Sequence, residues 1–425
     1  MMPRPKARPS PVAGTAERYP HRPLDCGAEL AVDVLPQRHT VALCFRMLVG
    51  VVDDPPDLTG LGSIVEHTIS KGTRRYDGRG LADAFDRLGA QWATVSGRQS
   101  MLVRALCLPE FVADVVELVG EMLRYPTFPD DACRVAVELA QQDLRQMEDE
   151  PHELLRVMLQ RLTLGPVLGR HIGGTPEALA RVTPDLVRGH WRRLYHAGRL
   201  QVVAAGPVDP EELAQQVERC FAGFGAAERR GREPADFEFQ PAREHRSKEL
   251  EQQYIGITLP GLPRNDPHFP TEQVLLAVLS GGMSGRLFTE VREKQGLVYW
   301  VGAWSDHPRT GGAVHLGAST TPQRVDRTYA TLLREINRLA DDLTSREVER
   351  AVTTIVAQAQ TRGDVTRARA NRIADDLFYF GRPIPIEEKI ARIQAVTVDD
   401  IRRYLEAHPR DRLSVVTLGP RKLED

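Results

Sequence analysis

Apolar and polar residues alternate over residues 28–34 and again over 40–51, which predicts two strands. Leu58-Thr59-Gly60 then reads as a loop that opens a helix over 61–70, with Gly72 as its C-terminal cap. A second helix is predicted over 80–88, strands over 91–96 and 100–108, and long helices over 109–123 and 130–148. The acidic run Glu148-Asp149-Glu150 ends at Pro151, which cannot continue a helix. More helix runs to 164, followed by a turn at Gly173-Gly174-Thr175, a helix over 184–195 and a buried strand over 200–205. Residues 226–249 are charged and lack an apolar period, which marks a linker.

After that linker the order recurs: strands near 253–258, a helix over 270–279, a glycine loop, further strands and helices, and a closing strand over 412–418. The two closing strands, LQVVAAGPVD and LSVVTLGPRK, each follow a helix with a threonine start signal, Thr183 and Thr397. This is the mark of an internal duplication. The expected fold class is α+β: two similar domains, residues 24–225 and 250–425, each a mixed or antiparallel sheet flanked by helices. Residues 1–23, rich in Pro and Arg, are expected to be a disordered leader.

Composition narrows the function classes. A length of 425 residues calls for two or three domains, and 41% hydrophobic with 27% charged residues is ordinary for a globular chain. A net charge of −2 argues against a dedicated nucleic-acid binder. No apolar run approaches the ~18 residues of a membrane span. The leader has no apolar core, and its prolines spoil an amphipathic targeting helix, so a cytoplasmic location is expected. The five cysteines, Cys26, Cys44, Cys107, Cys133 and Cys220, are scattered and contain no C-x-x-C pair, which fits a reducing compartment.

Two constellations carry chemistry. On the first helix Ser63, Glu66 and His67 stand at i, i+3 and i+4 and share one face. An inverted zinc helix reads H-x-x-E-H, with two histidine ligands and a glutamate that activates water. Here Ser63 holds the first ligand position, and Glu66 and His67 hold the base and second ligand positions. On the long helix ending at Glu148, Asp143 falls at helical spacing within a stripe of Val135, Ala136, Leu139 and Met147, so an inward carboxylate needing a partner is expected. The bland alternative is a metal-free, hydrogen-bonded polar cluster. In the second half, SGGMSGRLFTEVREKQGLVYWV contains Arg292 and Tyr299 beyond a glycine loop. It lacks the G-x-x-x-x-G-K-[ST] of a phosphate loop, and an ordinary helix–turn–strand is its bland alternative.

TGLGSIVEHTISKGTRRY and the second-half segment resemble the corresponding motifs of the pitrilysin (insulinase) zinc peptidases. The resemblance runs from about Asp25 to Gly419 and implies a half-clamshell of two domains. It implies that Ser63, His67 and Asp143 fall on the three metal-ligand positions, with Asp143 a methylene shorter than the family's glutamate, and Glu66 on the base position. It places Arg292 and Tyr299 on the pair that reaches a zinc site from the opposite half, with Gly281, Gly282, Met283 and Ala93 as substrate-binding positions. Trp92 stands where the family often has Asn.

Some family members are two-chain enzymes that divide zinc and the Arg/Tyr pair between subunits. The pattern here implies the second role: no cofactor in this chain, zinc in a paralogous H-x-x-E-H partner, a peptide substrate, and neither nucleic acid nor membrane as partner. Two other readings stay open: a metal-free scaffold or binding protein, and a variant zinc endopeptidase using Ser63, His67 and Asp143.

Overall fold

The computed structural model describes residues 19–225, 235 and 237–424. Its first sheet contains β1 (His21–Pro23), β2 (Glu29–Val34), β3 (Val41–Met47), β4 (Gln91–Ser96), β5 (Met101–Cys107) and β6 (Leu200–Gly206), in the order β1-β2-β6-β3-β5-β4. The second contains β7 (Arg243–Ser247), β8 (Gln253–Gly261), β9 (Val298–Asp306), β10 (Gly312–Thr320) and β11 (Ser414–Gly419), in the order β7-β11-β8-β10-β9. Leaving out β1, which has no counterpart in the second sheet, the two orders correspond strand for strand. In both, the closing strand runs parallel to its outer neighbour and antiparallel to the next strand in, and a hairpin forms the far edge. The internal duplication expected from the sequence is therefore a duplication of topology.

Besides single-turn pieces, the helices that matter below are α1 (Leu61–Thr68), α2 (Gly78–Arg87), α3 (Val112–Arg124), α4 (Asp130–Glu148), α5 (Pro151–Thr163), α6 (Pro184–Leu194) and α7 (Pro210–Phe221) in the first half. The second half adds α8 (Phe269–Ser280), α9 (Val325–Asn337), α10 (Ser345–Gly363) and α11 (Thr366–Phe380). Every residue of β3, β6 and β10 is buried, which demands cover on both faces of each sheet.

That cover is exchanged between the halves. One face of the first sheet packs on its own helices around Phe45, Phe85 and Phe221. Its other face receives Ala370, Ile373, Ala374 and Leu377 of α11, which lie against Ala31, Ala42, Cys44 and Ala205. Conversely, Leu154, Leu155, Met158 and Leu159 of α5 cover Tyr254, Val416 and Leu418 of the second sheet. Small residues let the borrowed helices approach closely. Gly256, Gly317 and Gly302 form a row across β8, β10 and β9. A Cβ on Gly256 would lie 2.6 Å from Leu159 of α5, while Gly317 makes room for the Trp300 ring of its own sheet, 2.7 Å from where a Cβ would stand. A buried ion pair, Arg369 to Asp33 at 2.6 Å, fixes α11 to β2.

Three expectations need correction. The expected leader spans residues 1–23, but Tyr19 is buried and His21–Pro23 pairs with Glu29–Ala31, so the fold includes Tyr19 onward; residues 1–18 lie outside the described residues. The expected linker spans 226–249, but Arg243–Ser247 within it is an edge strand parallel to β11. Its sequence, Arg-Glu-His-Arg-Ser, carries no apolar residue because an edge strand need not bury either face. Residues 226–234 and 236 lie outside the described residues. Finally, the apolar run expected to extend to Val51 as strand ends at Met47, and residues Val51–Asp53 form a 3₁₀ turn.

Candidate functional site

Helix α1 starts at Gly60, whose φ of 94° is left-handed. A side chain there would also collide with the backbone of Gly173, 2.8 Å away, so the Gly173-Gly174 turn and Gly60 are a matched close approach. Asp54 holds the helix start: its two carboxylate oxygens accept the N–H groups of Gly60 at 2.8 Å and Gly62 at 2.9 Å. Burial pushes the Asp54 carboxyl up to about 7, against those two bonds. His190 of α6 lies with Nε2 3.6 Å from Asp54, fully buried, and burial pushes it down to about 4.

On this helix Ser63 and Glu66 point inward and His67 outward. Glu66 is 6% exposed and accepts a short hydrogen bond from the Thr94 hydroxyl on β4. Its other oxygen lies 3.4 Å from His67 Nε2, while the His67 side chain is 41% exposed. Thr94 is the residue that sequence reasoning passed over. The alternation in β4 puts Trp92, Thr94 and Ser96 on the α1 side and Ala93 and Val95 outward, which is the signal that could have found it. Trp92, expected on the peptide-pairing surface, instead stacks on Phe85 of α2 at 4.8 Å between ring centres. Ala93 is exposed on the free edge of the sheet, where a backbone could add as a further strand.

Asp143 is not where the sequence put it. The buried line of α4 is Cys133, Ala136, Ala140 and Leu144, and the first three are small residues that let it pack against α1. Val135 and Leu139, read as part of the inward stripe, are each 52% exposed, and Asp143 continues their row at i+4 spacing into water. It makes no hydrogen bond or ion pair among the described residues. The face assignment went astray because two large apolar residues outweighed three small ones.

Among the described residues no group of three or more His, Cys, Asp or Glu side chains could hold a metal ion. One imidazole, a buried hydroxyl and a solvated carboxylate do not make the three-ligand set that catalytic zinc takes. The residues present do not fit the metal, and no chemistry is assigned to it in this chain.

The second-half constellation is built differently. Gly281, Gly282 and Met283 form an open loop in which Gly282 has φ 97° and Met283 is 77% exposed. Arg286 closes the loop from beneath. Its guanidinium donates to both oxygens of Glu347, at 2.6 and 2.9 Å, and to Asp342. Burial alone would raise the Glu347 carboxyl, but this fork and Thr344 hold it down at about 2. Arg292 lies in a single π-helical turn, Phe288–Glu293, with its guanidinium over the Phe288 ring at 4.9 Å. Tyr299 occupies a β-bulge: Val298 pairs with Thr320 and Trp300 with Ser319, leaving Tyr299 unpaired and 60% exposed. No hydrogen bond or ion pair among the described residues joins Arg292 or Tyr299 to Glu66, His67 or Asp143.

Comparison with known proteins agrees with this architecture. Residues 31–175 match the family described as insulinase (peptidase family M16), and residues 181–355 match the peptidase M16 inactive domain. The chain belongs to peptidase family M16. It is 27% identical to an uncharacterized zinc protease of Streptomyces coelicolor over 409 residues, 93% of this chain and 88% of the relative. It is 25% identical to the uncharacterized zinc protease YmxG of Bacillus subtilis over 378 residues, 88% of this chain and 92% of the relative. Its fold matches a crystal structure of a peptidase M16 inactive domain from Pseudomonas fluorescens, with a TM-score of 0.86, 19% identity and coverage of 96% and 99% of the two chains. A protease from Helicobacter pylori matches with a TM-score of 0.85, 13% identity and coverage of 95% and 99%. Among the described residues no helix of this M16 chain is long and apolar enough to cross a membrane.

Proposed function

We propose that this M16 chain is the substrate-gripping, non-zinc subunit of a two-chain peptidase that cleaves peptides. The observation that carries the reading is an asymmetry of exposure. Arg292 and Tyr299 stand in water on an intact, well-braced loop, whereas the α1 face offers one exposed imidazole and no ligand set. A paralogous partner with a complete H-x-x-E-H helix would hold the zinc. Tyr299 would donate its hydroxyl to the oxyanion that develops on the scissile carbonyl, and Arg292 would clamp a neighbouring carbonyl or carboxylate through its fork. Gly281, Gly282 and Met283 would pass the peptide backbone closely, and Ala93 would lie along its path.

The test is reconstitution. The chain alone should turn over no peptide, and mixing it with an H-x-x-E-H paralogue should give activity that neither has alone. Activity of the isolated chain that a chelator abolishes would reject the reading in favour of a variant zinc endopeptidase. A stable complex inert in every pairing would reject it in favour of a scaffold.

A further inference from the structure

A second feature lies beyond the C-terminal end of α1, on the KGTRRY end of the motif that carries the family resemblance but away from the Ser63, Glu66 and His67 face. Lys71, Arg74, Arg75, Tyr76, Asp77 and Thr127 line a shallow, open surface cleft of about 290 Å³. Its basic groups are held ready but unspent. The Arg74 guanidinium lies over the Tyr125 ring at 4.0 Å and that of Arg75 over Tyr76 at 5.5 Å. Arg124 shares the Tyr125 ring at 4.8 Å, but its donors are committed to the carbonyls of Cys220 and Ala222 at the end of α7. The side chains of Lys71, Arg74 and Arg75 make no hydrogen bond and no ion pair among the described residues.

Elsewhere this chain spends its arginines freely on carboxylates: Arg22 on Glu211, Arg46 on Asp375, Arg286 on Glu347. With 56 basic and 58 acidic residues it has acid enough to pair these three as well. The single acid lining the cleft, Asp77, is occupied as the cap of α2, accepting the N–H of Gly80 at 2.6 Å. The loop beneath is stitched by hydrogen bonds. Thr73 N–H donates to Tyr76 O, Arg74 N–H to Tyr125 O, Arg75 N–H to Glu121 and Thr127 N–H to Gly72 O, all within 3.0 Å.

We infer that this cleft is an anion site for a compact pyrophosphoryl group. Three cations on one short, stitched loop suit a ligand that concentrates at least two negative charges within a few ångströms, and an arginine fork matches phosphate oxygens in pairs. The cleft is at the small end of ligand pockets, which run from roughly 300 Å³ upward, so it fits a small polyanion rather than a peptide. The Tyr76 and Tyr125 rings are taken by guanidinium groups, so neither is offered as a stacking platform and recognition rests on charge and hydrogen bonds. Inorganic pyrophosphate and the phosphates of a nucleoside triphosphate share this chemistry.

The experiment is calorimetric titration of the full chain with inorganic pyrophosphate, adenosine triphosphate and sulfate at constant ionic strength. Saturable pyrophosphate binding, at least tenfold tighter than sulfate, is expected. The triple variant Lys71→Ala/Arg74→Ala/Arg75→Ala should weaken it by about a hundredfold or more on the strength of charge-assisted bonds. Arg346→Ala, an exposed residue of α10, should leave it unchanged. Thermal unfolding in the absence of ligand separates loss of the site from loss of the fold, and the single variants Arg74→Ala and Arg75→Ala supply the reading should the triple variant not fold. Equal affinity for pyrophosphate and the nucleotide assigns the site to the bare phosphates; tighter nucleotide binding assigns part of it to the nucleoside. No saturable binding, equal sulfate binding, or undiminished binding in folded variants would overturn the inference.

Discussion

The two halves of this molecule share one topology and treat their chemistry in opposite ways. In the first half two of the three motif side chains of α1 are drawn inward, Glu66 bound by Thr94 and Ser63 buried, and only the His67 imidazole reaches water. In the second half the equivalent sheet edge puts Tyr299 into water on a bulge, and Arg292 is exposed on the π-turn that precedes it. Duplication supplied two copies of a scaffold; the first presents a single imidazole outward, the second an arginine and a phenol together. A buried, satisfied carboxylate is a packing element; an exposed arginine without an ion pair and an exposed phenol are groups held for something else.

The sharpest way to break this comparison is to mutate both halves in the reconstituted pair. Tyr299→Phe removes one hydroxyl without altering the ring, and Arg292→Ala removes the fork. Each is expected to lower kcat by roughly 10²- to 10³-fold, the loss typical of one oxyanion donor. Ser63→Ala should leave turnover within about twofold, because a buried hydroxyl on α1 touches no part of the proposed chemistry. Equal losses in the two halves would erase the distinction; no loss at Tyr299 or Arg292 would remove the role assigned to the second half.

Next in size is the bracing of the loop. Arg286→Ala strips a buried guanidinium from Glu347 and Asp342 and leaves a carboxylate whose low proton affinity depends on it. Breaking a buried pair in this way costs about 3 kcal/mol. Chemical denaturation at pH 7 should show a loss of that order, whereas Arg292→Ala, exposed and without an ion pair, should fall within about 0.5 kcal/mol of the parent. Two arginines six residues apart in one motif would then separate cleanly into support and function.

These contrasts show what the sequence could and could not carry. Periodicity found the sheets and the duplication because buried strands and amphipathic helices leave strong patterns. It missed β7, which lies at a sheet edge and buries little, and it misplaced the face of α4. There Val135 and Leu139 are exposed, and the true contact line is the small residues Cys133, Ala136 and Ala140. Local pattern also cannot reveal that α5 and α11 each cover the other half's sheet, since a helix reads the same whichever sheet it meets. At the site, the motif spacing put Ser63, Glu66 and His67 on one helix. It gave no access to Thr94, Asp54 or His190, which arrive from other strands and helices.

The smallest effect compares two buried carboxyls, one in each half. Asp54 and Glu272 are both pushed up to about 7 by burial, and each lies near a histidine pushed down to about 4, His190 at 3.6 Å and His307 at 4.0 Å. A carboxyl whose folded value is raised contributes stability that is full below its unfolded value near ~4 and is lost as pH rises through about 7. The histidines act in the opposite sense, adding stability as pH rises from about 4 to about 6.5, and that contribution is common to parent and variant. Glu272→Gln should therefore gain on the parent between pH 5 and pH 8, by at most about 2.7 kcal/mol for the two pH units up to about 7. The amide can replace the carboxyl there because one oxygen, Oε2, accepts both the Leu262 N–H and the Tyr404 hydroxyl at 2.8 Å. Asp54 uses a different oxygen for each of Gly60 and Gly62, so Asp54→Asn can satisfy only one and turns an N–H donor on the other. That variant should start about 1–3 kcal/mol below the parent at pH 5 and recover towards it at pH 8. Denaturant midpoints of both variants at the two pH values decide the matter: parallel behaviour would mean that the second N–H at the start of α1 does not depend on Asp54, and a flat response in Glu272→Gln would mean that its carboxyl is already ionised at pH 5.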